Sequence, residues 1–248
     1  MAGIAVCLAQ VQARIADAAA RAGRDPNSIR LVAVSKRQPV EAIRDAYAAG
    51  QRDFGENYVQ ELMLKAKELQ DLPDLRFHMI GHLQRNKAKQ VVSVASVVHT
   101  IDTPELALEL AKRALDHPVP LERRLRLTGS DGDGRLPVLV EVNVGGEKQK
   151  SGCEPDELPR VLDTVEASPS LQLVGLMTVP PFTEEASASQ AYFERLAAYR
   201  ERLGGPNRLP ELSMGMTLDL EYAIAAGATI VRVGTAIFGE RLEREVST

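Results

Sequence analysis

The sequence predicts a single (β/α)8 TIM barrel with an extra N-terminal helix. Three observations predict it. Eight short, mostly apolar runs alternate with eight segments of helical periodicity. The 248 residues match the ~250 typical of one such barrel. An amphipathic stretch also stands ahead of the first apolar run. Doubly wound open sheets alternate in the same way, but eight complete units in this length favour closure.

The first helix spans residues 4–22. Ile4, Leu8, Val11, Ile15 and Ala22 recur at helical spacing, and Gly23 and Pro26 end it. Strand candidates follow at residues 31–35, 52–54, 76–80, 97–101, 138–142, 173–177, 211–213 and 230–233. Helical segments after them cover residues 39–49, 56–70, 84–91, 104–116, 155–167, 186–203 and 218–226, and a last short helix begins near Thr235. Pro104 sits in a first turn, where its missing N–H costs nothing. Residues 117–137 hold three prolines and a Gly129-to-Gly134 tract, which reads as a surface insertion. Residues 204–210 read as a shorter loop. Strand–helix units continue on both sides of these stretches, so residues 1–248 are read as one domain.

Composition removes several function classes. Net charge is −4, which argues against a broad nucleic-acid surface and leaves room for a local phosphate pocket. No apolar stretch approaches a membrane span, and residues 1–9 lack the basic flank of a signal peptide. Two cysteines far apart give no disulfide framework, so a cytoplasmic location is expected.

In such barrels chemistry sits at the C-terminal ends of the strands. The apolar Leu31-Val32-Ala33-Val34 runs into Ser35-Lys36-Arg37. Lys36 reads as a functional amine at the barrel mouth or as an exposed lysine in a turn. Val233-Gly234-Thr235 joins the last strand to a helix, where backbone N–H groups can bind phosphate and Gly234 permits close approach. Ser213 closes the seventh strand with a hydroxyl within reach of a phosphate. Thr217 reads as a cap for the next helix. A lysine facing a phosphate cradle across a barrel is what pyridoxal 5′-phosphate (PLP) requires. The aldehyde condenses with a neutral amine, which a partly desolvated lysine supplies more readily.

Longer blocks carry a resemblance that covers nearly the whole chain. They are Phe54-Gly55-Glu56-Asn57-Tyr58-Val59-Gln60-Glu61, Phe77-His78-Met79-Ile80-Gly81-His82-Leu83-Gln84-Arg85-Asn86-Lys87, Val140-Glu141-Val142-Asn143, Ser213-Met214-Gly215-Met216 and Val231-Arg232-Val233-Gly234-Thr235-Ala236-Ile237-Phe238-Gly239. With Leu31 to Lys36, they resemble the YggS/PROSC family of PLP homeostasis proteins, whose fold is like the N-terminal barrel of alanine racemase. The resemblance implies that Lys36 is the aldimine lysine. It implies phosphate contacts from Ser213, Gly234 and Thr235, Arg232 facing the pyridine nitrogen, and Asn57 near the ring. Met79 and Ile80 pack on the cofactor or belong to the core. Three features depart from the family pattern: Thr103 after Asp102, Thr217 in place of serine, and the length of the 117–137 insertion.

The resemblance implies a PLP carrier that supplies or buffers the cofactor, with no robust catalysis. The alternative is an amino-acid racemase of weak activity. Arg232 beside the pyridine nitrogen disfavours its protonation and makes the ring a poorer electron sink. Racemases add a second base from a C-terminal β-domain, and only nine residues follow the last motif here. Expected partners are PLP, and beyond it amino acids or PLP-dependent apo-enzymes. A monomer is expected, without nucleic acid or membrane. A metal-dependent hydrolase using His78, His82 and His99 is disfavoured, because those histidines lack a tight His-x-His pair.

Overall fold

The computed structural model describes residues 3–116, 134–147, 149 and 151–239. Eight parallel strands close into a barrel in sequence order, β1 to β8, with β1 pairing β8. The strands are β1 (Arg30–Val34), β2 (Asp53–Glu56), β3 (Arg76–Met79), β4 (Ala95–Ile101), β5 (Leu136–Glu141), β6 (Leu171–Met177), β7 (Glu211–Ser213) and β8 (Ile230–Val233). The larger helices between them are α2 (Val40–Ala48), α3 (Val59–Glu68), α4 (Ala88–Val92), α5 (Pro104–Asp116), α6 (Leu158–Glu166), α7 (Gln190–Arg202) and α9 (Leu220–Ala225). Helix α1 (Ile4–Arg21) precedes the first strand, α8 (Gly205–Arg208) precedes β7, and α10 (Thr235–Phe238) follows β8. The (β/α)8 expectation and the extra first helix therefore hold.

Parity along the strands separates two cores. Leu31 and Ala33 of β1 join the main apolar cluster under the helices, with Leu8, Val11 and Ile15 of α1. Val32, between them, points the other way into a small cluster with Val97, Leu139, Val174, Met177 and Ile230. That second cluster is the apolar part of the barrel interior. Val34 and Lys36 continue its parity upward, which brings the lysine to the mouth. Helix α1 is pinned to the last units by Arg14, which pairs with Glu221 of α9 at 2.9 Å and donates to the carbonyl of Thr217.

Boundaries moved where polar residues enter the sheet. β2 runs to Glu56, two residues past the expected end, and α3 starts at Val59 rather than at residue 56. β4 starts at Ala95 and β6 at Leu171, each two residues early. β5 takes in Leu136 and Pro137, which had been assigned to the insertion. Pro137 is tolerated because it is the second residue of its strand, where few ladder bonds are at stake. Within the expected 204–210 loop, Pro206 opens the short α8. Residues 117–133, with the Arg123-Arg124-Leu125-Arg126 run and most of the glycine tract, lie outside the described residues, as do 240–248. No helix among the described residues is long and apolar enough to cross a membrane.

Candidate functional site

The C-terminal ends of β1, β7 and β8 surround a cavity of about 370 Å³. Lys36 and Val34 line it from β1, Arg232, Gly234 and Thr235 from β8, and Met216, Thr217 and Leu218 from the segment after β7. The segment after β6, from Val179 to Thr183, forms the remaining wall. The outer rim is apolar and open to solvent at Val179, Phe182, Met216 and Leu218.

A buried ionic network fixes the backbone on either side of Lys36. The Lys65 ammonium donates to the Ser35 carbonyl at 2.6 Å, to Glu56 Oε1 at 2.7 Å and to Glu61 Oε2 at 3.1 Å. Those three acceptors use all three of its protons. The Ser35 hydroxyl also donates to Glu56 Oε1 at 2.7 Å, and the Arg37 N–H to Glu61 Oε2 at 2.7 Å. Arg37 sits at φ 60°, a left-handed conformation that costs a non-glycine residue ~1–2 kcal/mol. The carboxylate of Glu61 stabilises that turn. Burial pushes the Glu56 carboxyl up, against the opposing pull of Lys65 and Ser35. Sequence reasoning had not singled out Glu56, Glu61 or Lys65 as functional. The Glu56-to-Glu61 block carried the signal, but their convergence on Lys36 needs the β1–β2 register.

At the opposite wall, Gly234 leads into α10. A Cβ there would stand 3.1 Å from the Val34 carbonyl oxygen, so glycine keeps a side chain from pressing on β1. The N–H groups of Gly234, Thr235 and Ala236 donate to no backbone carbonyl among the described residues. They form a row of donors beside the cavity. Arg232 is buried, its guanidinium donating to the Ser213 hydroxyl at 2.6 Å and to the Thr178 carbonyl at 2.8 Å. Burial lowers its pKa to about 10, opposed by Glu141 and Asp219, so it remains a cation at neutral pH.

Lys36, Arg232, Gly234 and Thr235 thus meet at one cavity, as the sequence led us to expect. Ser213 does not join them. Its side chain is fully buried between His99 and Arg232, turned into the barrel rather than toward this cavity. Thr217 lines the cavity and does not cap α9, whose N-cap is Asp219. Asn57 follows β2 outside this cavity, with its amide oxygen buried and unpartnered. Met79 belongs to the main core, and Ile80 fills the space that Gly55 leaves open.

The histidines do not converge on a metal. His78 and His99 bond to each other inside the barrel, whereas His82 stands exposed beside Asp102 at 3.5 Å. Among the described residues no group of three or more His, Cys, Asp or Glu is arranged to hold an ion. Asp102 and Glu141 give the β4–β5 side an acidic character. Burial, then the charge of Asp102, pushes Glu141 up to about 7, and Arg232 opposes that rise. Burial likewise raises Asp102, countered by His82.

Residues 6–242 match the family model described as alanine racemase, N-terminal domain. A pyridoxal phosphate homeostasis protein of Pseudomonas aeruginosa is 46% identical over 242 residues, covering 97% of each chain. This chain belongs to the pyridoxal phosphate homeostasis protein family. A second relative of that name, from Aquifex aeolicus, is 41% identical over 94% of this chain and 96% of its own. Among solved structures, PipY of Synechococcus elongatus with PLP bound superposes with a TM-score of 0.77 at 37% identity, over 95% of this chain and all of that one. The alanine racemase of Corynebacterium glutamicum shares the fold at 17% identity and TM-score 0.60, with 62% of its own length covered. A protein of similar fold and 37% identity has thus been solved with PLP bound.

Proposed function

We propose that this protein binds PLP at the β1–β8 mouth and serves PLP homeostasis, holding the cofactor covalently for supply or buffering. The observation that carries the reading is the convergence of the Lys36 amine, the Arg232 guanidinium and the Gly234–Ala236 amides on one cavity. Its size falls within the ~300–1,000 Å³ usual for small-ligand sites. When bound, PLP supplies an aldehyde that condenses reversibly with primary amines. Lys36 Nζ is the nucleophile toward it. The Gly234, Thr235 and Ala236 N–H groups and the Thr217 hydroxyl bind the phosphate, in place of the Ser213 contact first expected. Arg232 faces the pyridine nitrogen and, as a cation, keeps a proton off it.

The apolar rim of Val179, Phe182 and Leu218 leaves the mouth accessible, which suits exchange of cofactor with amino acids or with apo-enzymes. The protein works as a monomer in a reducing cytoplasm on this reading, without robust turnover of its own. The test is a visible spectrum with PLP before and after borohydride, for the wild type and for Lys36→Ala. The wild type gains a visible band that borohydride removes, leaving the label on the peptide containing Lys36. A wild type that stays colourless, or label on another lysine, overturns the assignment. Release is tested separately, by reconstituting a PLP-requiring apo-enzyme from the loaded protein.

A further inference from the structure

Five side chains from five strands form one unbroken hydrogen-bonded chain through the barrel. It starts at Asp53, the first residue of β2, at the opposite end of the barrel from Lys36. Asp53 Oδ1 lies 3.0 Å from His78 Nε2, His78 Nδ1 lies 2.8 Å from His99 Nε2, and His99 Nδ1 lies 2.9 Å from the Ser213 hydroxyl. Ser213 in turn accepts from Arg232 at 2.6 Å. His78, His99 and Ser213 are fully buried, and Asp53 and Arg232 nearly so.

The proton positions follow from the ends. Asp53 accepts two bonds from Arg76, at 2.8 and 2.9 Å, and one from Arg30 at 3.1 Å. Burial raises its pKa, but Arg76, His78 and Arg30 outweigh that and hold it well below the ordinary carboxylate range. It is therefore a pure acceptor. His78 must then donate from Nε2, which leaves its Nδ1 as acceptor. His99 donates from Nε2 to that nitrogen, and its own Nδ1 accepts from the Ser213 hydroxyl. The hydroxyl oxygen accepts from Arg232, which can only donate. Burial lowers the pKa of both imidazoles, and the charges of His78 and Arg232 lower His99 further, which favours the neutral rings that this donor order requires. The chain thus runs one way, Arg232 to Ser213 to His99 to His78 to Asp53, and reversing it would need either a protonated carboxyl between two arginines or a buried imidazolium at His78.

We propose that Ser213, His99, His78 and Asp53 are positioning residues that lock the Arg232 guanidinium in one orientation toward the cofactor's ring nitrogen. This rests on the PLP reading for its consequence, but not for its geometry. Anchored through Nη1 to Ser213 and through Nη2 to Thr178, Arg232 has three further N–H donors and lines the cavity. The carboxylates that act on it, Glu141 and Asp219, are titratable neighbours outside the chain. A cut anywhere along the chain leaves a buried donor or acceptor stranded and gives the guanidinium a second resting place.

Two measurements test this, and the first needs neither cofactor nor variant. Long-range ¹⁵N–¹H spectra of the PLP-free wild type should show His78 and His99 as neutral Nε2–H tautomers at about pH 7 to 8. An Nδ1–H tautomer or an imidazolium at either site overturns the chain. The second uses His99→Phe and Asp53→Asn loaded with PLP, each checked for native circular dichroism. Their Kd for PLP should rise roughly tenfold, as for loss of one oriented charge-assisted bond. The pH midpoint of the visible band should move upward, because a displaced Arg232 no longer repels a proton from the ring nitrogen. If His99→Phe folds and keeps the wild-type midpoint, the positioning role is refuted. A wild type that shows the tautomers but never takes up PLP refutes the binding reading and, with it, this role, while the chain itself stands.

Discussion

Replacing Lys65 by methionine tests whether the network behind Lys36 holds the mouth together. Lys65 is almost wholly buried and bonds a carbonyl and two carboxylates. Methionine is one heavy atom shorter and fills most of its space, so cavity cost is small. What remains is Glu56, with a fully buried side chain and one oxygen already unpartnered, and Glu61 beside it. Removing one partner of a buried pair costs ~3–5 kcal/mol, because the stranded charge must stay desolvated or take up a proton. Methionine's apolar burial returns part of this, so we expect a loss of about 3 kcal/mol. At ~2–4 °C per kcal/mol for a chain of this size, that lowers Tm by roughly 6–12 °C. Glu56 already has a folded pKa above its ordinary value, and without the ammonium it rises further. A carboxyl shifted upward destabilises the fold above its pKa and is relieved as pH falls. The loss should therefore be smaller at pH 5 than at pH 8, and Glu56→Gln combined with Lys65→Met should recover part of it. Urea melts at both pH values measure it. A loss under about 1 kcal/mol at pH 8, or one independent of pH, would refute the reasoning.

Glu141 gives a second pH signature. Its folded pKa of about 7 exceeds the ordinary 4.5, so its stabilising share is complete below pH 4.5 and is lost as pH climbs through about 7. At ~1.4 kcal/mol per pH unit this comes to roughly 3 kcal/mol, and a Glu141→Gln difference curve in urea should show it. Gly175→Ala should unfold the protein or cost more than ~3 kcal/mol, since its Cβ would stand 1.9 Å from the Glu211 carbonyl oxygen; a near-native thermal melt would contradict that. Gly234→Ala should leave the fold largely intact, because its Cβ meets Val34 at 3.1–3.3 Å, yet weaken PLP severalfold in a fluorescence titration.

The barrel was legible because parallel strands covered on both faces read as apolar runs. Where a strand turns polar atoms inward, the runs shorten. β2 ends in Gly55 and Glu56, and β7 carries Glu211 and Ser213, so both apolar runs are short, and Glu56 reads as the start of a helix although it ends the strand. Lys36 and Gly234 were legible as breaks in apolar patterns at strand ends. Ser213 was not, because a hydroxyl at a strand end serves a cavity or the interior equally well, and only the facing His99 and Arg232 decide between them. The chain from Asp53 to Arg232 leaves no local trace. Its members lie 19 to 114 residues from their bonded partners and meet only through closure of the sheet.

That closure has a thermodynamic consequence. A barrel interior packed wholly with valine and leucine would avoid desolvating an arginine, two imidazoles and a carboxylate, and replacing buried ionic groups by apolar ones often raises stability. Here Arg232 reaches the cavity from inside the barrel, so its charge needs an answer in the low-dielectric interior. Neutral His99 and His78 answer it without adding a second charge, handing the polarity on until it meets Asp53. Arg30 and Arg76 then neutralise that carboxylate at the far rim, where they are partly open to water. Each link is tolerable only because the next one is present. The mouth's chemistry therefore depends on residues at the other end of the molecule, where a substitution reads as a stability defect and acts on the ligand site as well.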